Sequence, residues 1–302
     1  MNNPKKKIIK GPVRHKGMVV QPRKKNVRRH MTAPPRPVPS PDEAANEEWR
    51  RKVADHPHGK YNTPPTAVAF DQAHAGEPII VMGNSSSLNQ MDLKSYEGFT
   101  IVGCNRGLRD ARLFPDYLIV NDREPYIQER DEGRLQAAAR RGTKLLLGRT
   151  MFDPTIRCIR LGGRDRPELP VQKTPDDFSY ATIDVCCQCT HNFETFRKPM
   201  ASFANVAGPM IQSALILGAR LIGFIGIDME WPKKGPSHHY GEGSKVGAYK
   251  FARVTHTMDM FMQAKMKNPG VKMFNLSPVL NTPFSKVFGN KTLKEFLKAC
   301  SG

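Results

Sequence analysis

The sequence predicts an α/β protein: a mostly parallel sheet with helices on both faces, preceded by a basic tail with no core of its own. Three observations carry this expectation. Apolar runs of strand length recur between helix-patterned stretches, several of these runs end in small polar residues, and residues 1–40 hold 12 Lys or Arg and no acidic residue.

The tail comes first. It is rich in Pro and poor in large apolar side chains, so burial cannot offset the entropy of ordering it, and it is expected to be disordered. It supplies +12 of the net charge of +19, leaving +7 for the rest of the 302 residues. Two readings stay open: an arm that attracts polyanions such as nucleic acid or an anionic membrane surface, or a solubilising extension. A connector follows, with an amphipathic stretch from Glu47 to Val53 and turn residues from His56 to Gly59. Tail and connector are assigned to residues 1–60, and the folded domain to residues 77–302. No apolar run approaches the roughly 20 residues of a membrane-spanning helix. The N-terminal lysines are not followed by the apolar stretch of a secretion signal, so a cytoplasmic location is expected.

The elements then follow in order. Pro78 to Met82 reads PIIVM and opens directly into Gly83-Asn84-Ser85-Ser86-Ser87-Leu88, where serine side chains can cap a helix start. Phe99 to Val102 is a second strand, followed by Cys104-Asn105-Arg106. Tyr117 to Val120 is a third, after the Pro115-Asp116 turn, and ends in Asn121-Asp122. Glu124 to Arg141 has helical spacing, and Lys144 to Leu147 suits the next strand. The stretch 162–200 breaks the rhythm with Pro, Asp and polar residues, and reads as an insertion or lid with minor strands. Asn205 to Leu217 is a helix leading through Gly218 into the strand Leu221 to Ile227. A loop from Glu230 to Gly243, a long helix from Val246 to Met266, a strand from Val271 to Asn275 and a terminal helix from Leu293 to Cys300 complete the pattern.

Six cysteines do not form a disulfide framework, because Cys186, Cys187 and Cys189 crowd one segment while the others lie far apart. With His191 that cluster invites a zinc reading. Adjacent Cys186 and Cys187 point apart in an extended chain, however, so a partly buried strand is the expectation. The methionines of the long helix, Met258, Met260, Met262 and Met266, read as core filler.

In an open parallel sheet a ligand sits beyond the carboxyl ends of the strands, where backbone amides can hold phosphate. The polar residues gather at those ends: Gly83, Asn84, Ser85 and Ser86 after the first strand, Asn105 and Arg106 after the second, Asp122 after the third and Asp228 after a later one. Glycine lets a ligand approach the backbone, and asparagine can donate to or accept from a base or ribose.

The motifs Ile80-Val81-Met82-Gly83-Asn84-Ser85-Ser86-Ser87-Leu88, Cys104-Asn105-Arg106, Ile225-Gly226-Ile227-Asp228 and Ser237-His238-His239-Tyr240 resemble, in order, those of the bacterial lipooligosaccharide sialyltransferases. They also resemble the wider group that includes the 6-hydroxymethylpterin diphosphokinase-like domain and flagellin-glycosylation accessory factors. Pro115-Asp116-Tyr117 and Phe274-Asn275-Leu276-Ser277-Pro278 fit that wider group, and the likeness spans Glu77 to Phe288. It implies a Rossmann-like fold that binds a nucleotide-sugar donor without a catalytic metal or other cofactor. By motif match, Gly83, Asn84 and Asn105 contact the nucleotide, Ser85 and Ser86 line the same turn, and Asp228 organises the donor pocket.

Two departures stand out. Gly243 occupies the position of the family's general-base histidine, leaving His238, preferred, or His239 beside Tyr240 as the base. Glu230 stands two residues after Asp228, where the family neutralises the leaving phosphate with tyrosine, so Lys233, Lys234 or Arg106 becomes the candidate substitute.

The functional expectation is a glycosyltransferase moving a sugar to a hydroxyl acceptor, a glycan or modified nucleic acid. The alternatives are pyrophosphokinase-like transfer to a small hydroxylated molecule, with Asp122 and Asp228 as metal carboxylates, or a non-catalytic nucleic-acid-binding protein with a vestigial nucleotide fold.

Overall fold

A computed structural model describes residues 65–152, 170–186, 191–202, 205–229, 238–241 and 251–301, with backbone only for 186 and 251–256. All of them belong to one unit, Trp49–Gly302. The basic tail, its connector, Glu230, Lys233, Lys234, Gly243, Cys187 and Cys189 lie outside the described residues.

Nine strands are described: β1 (Pro78–Met82), β2 (Thr100–Cys104), β3 (Tyr117–Val120), β4 (Lys144–Gly148), β5 (Ala181–Ile183), β6 (Val185–Cys186), β7 (Met200–Ala201), β8 (Leu221–Ile225) and β9 (Lys272–Asn275). The helices are α1 (Arg123–Asp131), α2 (Arg134–Arg140), α3 (Ala207–Ile216), α4 (Phe251–Lys267), α5 (Pro283–Phe288) and α6 (Leu293–Cys300). Seven strands form one sheet in the order β5-β4-β3-β2-β1-β8-β9, while β6 and β7 pair separately. Every pairing in the large sheet is parallel.

The central strands β1, β3 and β8 are apolar throughout because both faces are covered. In β1, Ile79 and Val81 enter one core, whereas Ile80 and Met82 enter another on the opposite face. On the first face lie the wholly buried α3, with Met260 and Phe261 of α4 and Phe284 and Phe288 of α5. On the other, Phe296 of α6 packs under β1 and β8, and Tyr126, Leu135 and Ala138 of α1 and α2 pack under β3 and β4. Each large side chain so buried contributes about 1.5–3 kcal/mol. This two-faced parallel sheet is the expected fold class.

Local departures from the sequence expectation have physical causes. The helix expected over Glu124–Arg141 is two helices, because Gly133 adopts a left-handed φ of 72° between them. The helix expected after β1 is a 3-10 turn, Ser86–Gln90, in which Ser85 provides no side-chain cap. Consecutive small polar side chains compete for backbone hydrogen bonds and weaken an α-helix there. The strand expected over Leu221–Ile227 stops at Ile225, where Gly226 turns the chain with φ 62°.

The short α5 was not expected from the sequence. Thr282 accepts a hydrogen bond from Ser285 N at its start, with proline in the first turn. In the 162–200 stretch, the described part provides the sheet's edge strand β5 and buries Phe196 in the core. Buried Gln212 of α3 secures this segment: it accepts from Asn192 N and Ala201 N at 3.1 Å and donates to Ala201 O at 2.7 Å. No described helix is long and apolar enough to cross a membrane.

Candidate functional site

The chain runs outward from β1 through β2, β3, β4 and β5, then returns to the other side of β1 with β8 and β9. The strand order therefore reverses between β1 and β8, the place where open parallel sheets bind ligands beyond their carboxyl ends. The sequence-expected residues Gly83, Asn84, Ser85, Ser86 and Asp228 leave these two strands, while Asn105, Arg106 and Asp122 leave β2 and β3.

The two central exits are bonded to one another. Gly83 N donates to Ile225 O and Ser85 N to Gly226 O, both at 2.9 Å. A side chain at position 83 would run into the Gly226 carbonyl oxygen, so glycine is needed there for packing of the two strand exits. Asp228 is buried and accepts from the Ser87 hydroxyl at 3.0 Å and the Ser277 hydroxyl at 2.8 Å, joining the exits of β1, β8 and β9. Its backbone N–H also donates to Ser85 Oγ at 3.3 Å. Half-buried Ser86 opens the 3-10 turn, and Asp122 is exposed at the N-cap position of α1. Two left-handed non-glycine residues stand at these exits: Asn105 follows β2 with φ 42°, and Met229 follows Asp228 with φ 53°.

Residues 238–241 fold over the β1 exit. His238 bridges Ser85, His239 N donates to Asn84 O at 3.1 Å, and Asn89 Nδ2 donates to His239 O at 3.1 Å. His238 stacks on Tyr240 at 5.0 Å between centroids, and Arg109 lies over the Tyr240 ring at 5.3 Å. The sequence thus brings His238, His239 and Tyr240 to the rim occupied by Asn84 and Arg106.

Burial, and then the Arg106 charge, lower the His238 pKa from the ordinary imidazole value. Burial likewise lowers that of His239, against an opposing effect of the Asp110 carboxylate. Tyr240 is raised by burial, which outweighs a hydrogen bond from Arg106. Cys104, at the end of β2, is pushed up to about 12 by burial and by Asp122.

Several buried polar atoms at this rim have no hydrogen-bond partner: Asn84 Oδ1, Asn105 Oδ1, Asn121 Oδ1 and His239 Nε2. Asn84 uses Nδ2 to reach Cys104 O at 3.4 Å, which leaves Oδ1 as its free end. His239 Nδ1 faces Asn84 O at 3.4 Å, and a carbonyl only accepts, so Nδ1 carries the proton and Nε2 the lone pair. All four atoms are therefore acceptors. An unsatisfied buried acceptor costs about 1–3 kcal/mol, and a ligand bearing N–H or O–H groups would relieve that cost. Because each atom is shielded from water, such a ligand must displace part of the cover.

Asn121 was not singled out from the sequence, where its neighbour Asp122 was. The available signal was positional: Asn105 and Asn121 each immediately follow a strand, and Asn84 follows β1 by two residues. Among the described residues no group of three or more His, Cys, Asp or Glu is arranged to hold a metal ion. Cys186 lies in β6, and the rest of its cysteine cluster falls outside the described residues.

No protein-family model matches the chain, and no curated protein matches it. Among solved structures, it is similar to the MAf glycosyltransferase of Magnetospirillum magneticum AMB-1, at 15% identity and a TM-score of 0.41 over 87% of this chain. The match takes in 45% of that protein, less than half its length. A second similar structure is the monofunctional alpha-2,3-sialyltransferase Cst-I from Campylobacter jejuni, at 13% identity and TM-score 0.42, covering 71% of this chain and 80% of that one. A third is the sialyltransferase CstII from Campylobacter jejuni, solved with cytidine-5'-monophosphate, at 12% identity and TM-score 0.40, covering 72% and 85%.

Proposed function

We propose that this chain binds a nucleotide-activated sugar at the exits of β1, β2, β3 and β8 and transfers the sugar to a hydroxyl acceptor. The observation that carries the reading is the set of partnerless acceptors, Asn84 Oδ1, Asn105 Oδ1, Asn121 Oδ1 and His239 Nε2, gathered at one rim. Sugar and ribose hydroxyls and the amino groups of bases are the complementary donors. The ordered motifs from Gly83 to Tyr240 support the same reading through their resemblance to sialyltransferases.

In the proposed step the acceptor oxygen attacks the sugar's anomeric carbon while the bond from that carbon to the phosphate oxygen breaks. The bonding pair leaves with the phosphate, and the acceptor's proton passes to His239 Nε2. His239 is favoured over His238 as base because its buried Nε2 lone pair has no hydrogen-bond partner. General-base catalysis of this kind contributes about 100- to 10,000-fold in rate.

The test is a thermal-shift panel of nucleotides and nucleotide sugars, followed by product analysis with the stabilising donor, with and without chelator. Stabilisation by a nucleotide sugar and chelator-resistant release of its nucleotide support the reading. Silence across the panel would remove it, and activity abolished by chelator would favour metal-dependent pyrophosphate transfer.

A further inference from the structure

A rim built of acceptors leaves open where the charge that develops on a departing phosphate would be met. The 3-10 turn after β1 is only five residues long, too short to provide the dipole of a regular helix. A side-chain cation is the stronger counter-charge there, and three arginines stand in the segment that follows β2.

Their surroundings separate them. Arg112 forks onto the Asp110 carboxylate at 2.9 and 2.6 Å. Burial works against Asp110, yet this fork holds its carboxyl below the usual range. Arg109 is bound at 2.8 Å to Glu129, a fully buried carboxylate. Both positive charges are met at close range. Arg106 differs: its main partner is the neutral amide of Gln128, whose Oε1 lies 3.0 Å from Nε and 2.6 Å from Nη2. Its carboxylate contact, Glu124 at 3.1 Å, comes from a side chain 36% exposed to solvent, which screens the pair.

Arg106 itself is 8% exposed and therefore projects its charge through a low-dielectric surrounding. It follows Asn105, whose left-handed backbone turns the chain at the end of β2. One side of the guanidinium rests on α1, and the other reaches the loop that carries Tyr240 and His238.

We propose that Arg106 is the catalytic cation of this site, donating hydrogen bonds to the donor's phosphate and meeting the charge it gains as the bond to the anomeric carbon breaks. This rests on the nucleotide-sugar reading and deepens it. The electron pair of the broken bond stays on the phosphate oxygen, and Arg106 keeps its protons throughout, acting by charge and hydrogen bonding alone. Fixing the same guanidinium to Gln128 sets its orientation before the ligand arrives.

The experiment compares calorimetric binding of CMP, UMP, AMP and GMP with that of the four matching nucleosides, in the full chain and in Arg106→Gln, Arg106→Lys and Glu124→Gln. The expected result is that Arg106→Gln weakens the bound monophosphate about 10- to 100-fold while its nucleoside is held as before, the loss of a charge-assisted hydrogen bond. Arg106→Lys keeps the charge and recovers part of the loss, and Glu124→Gln tightens the monophosphate. If Arg106→Gln does not fold, the Lys and Glu124 variants decide. Equal losses for nucleoside and monophosphate, or unchanged monophosphate binding, overturn the role of Arg106 alone. Absence of binding by the unaltered chain removes the nucleotide reading and this assignment with it.

Discussion

The Ser87 hydroxyl donates to Asp228 Oδ1 at 3.0 Å, connecting the exits of two neighbouring strands whose residues stand 141 apart in the chain. Ser277 adds a second hydroxyl to the same oxygen. Asp228→Ala would strand both hydroxyls in a buried setting and is expected to destabilise the fold by about 2–4 kcal/mol, with Asp228→Asn costing less because it keeps the acceptor. Urea unfolding measures both. A stable Asp228→Ala protein that fails to bind ligand would instead mean that the carboxylate meets the ligand directly.

Gly83→Ala is expected to cost about 1–3 kcal/mol or more, since the added methyl meets backbone that cannot rotate away. Gly270→Ala, where nothing lies within 4 Å, is the control and should melt within a degree or two of the unaltered protein. Equal melting temperatures for the two variants would contradict the close approach of the β1 and β8 exits.

His239→Ala should lower sugar transfer about 100- to 10,000-fold without loss of the folded state. Because burial lowers the His239 pKa, the base form persists to more acidic pH than for a free imidazole. The acid limb of the rate profile should therefore fall below the usual midpoint of about 6.5. A limb at or above that midpoint would point to a different base.

The same lowered values act on stability with a definite sign. His238 and His239 bind protons less readily in the folded chain than in the unfolded one, so stability falls as pH drops through about 6.5 towards their folded values. Urea midpoints between pH 7.5 and 5 would show this, and His239→Gln should flatten the slope. An unchanged slope would mean that other groups dominate.

Asn105→Gly relieves a left-handed backbone and removes an unsatisfied buried acceptor, so it should leave stability unchanged or raise it, by up to about 1 kcal/mol. Donor binding should weaken at the same time. Asn121→Ala is expected to weaken binding about tenfold without unfolding the chain. Calorimetry with the stabilising nucleotide checks both, and unchanged affinity in both would remove these side chains from the site.

The central sheet was legible because a strand buried on both faces must be apolar along its whole length, as PIIVM of β1 and LIGFI of β8 are. The strand exits were legible for a related reason: each apolar run stops at small polar residues, and the structure places Gly83, Asn105 and Asp228 beyond the carboxyl ends of parallel strands. At the end of β3 the sequence pointed to Asp122, which is exposed, and not to the neighbouring Asn121, which carries the unmatched oxygen. Nor could spacing rank His238 against His239, because the difference lies in one carbonyl, that of Asn84, opposite the His239 ring. Asp228 drew attention as a ligand group, yet its two hydroxyl partners come from segments that only the folded chain brings together.

The central place of β1 has a consequence for biosynthesis. Its partners β2 and β8 begin at residues 100 and 221, so a growing chain pairs one edge of β1 early and leaves the other unsatisfied while more than a hundred further residues are made. An open, wholly apolar strand edge is a template for wrong pairing. Ribosome-bound chains that stop before Leu221 should therefore depend on chaperones far more than those that extend past Ile225.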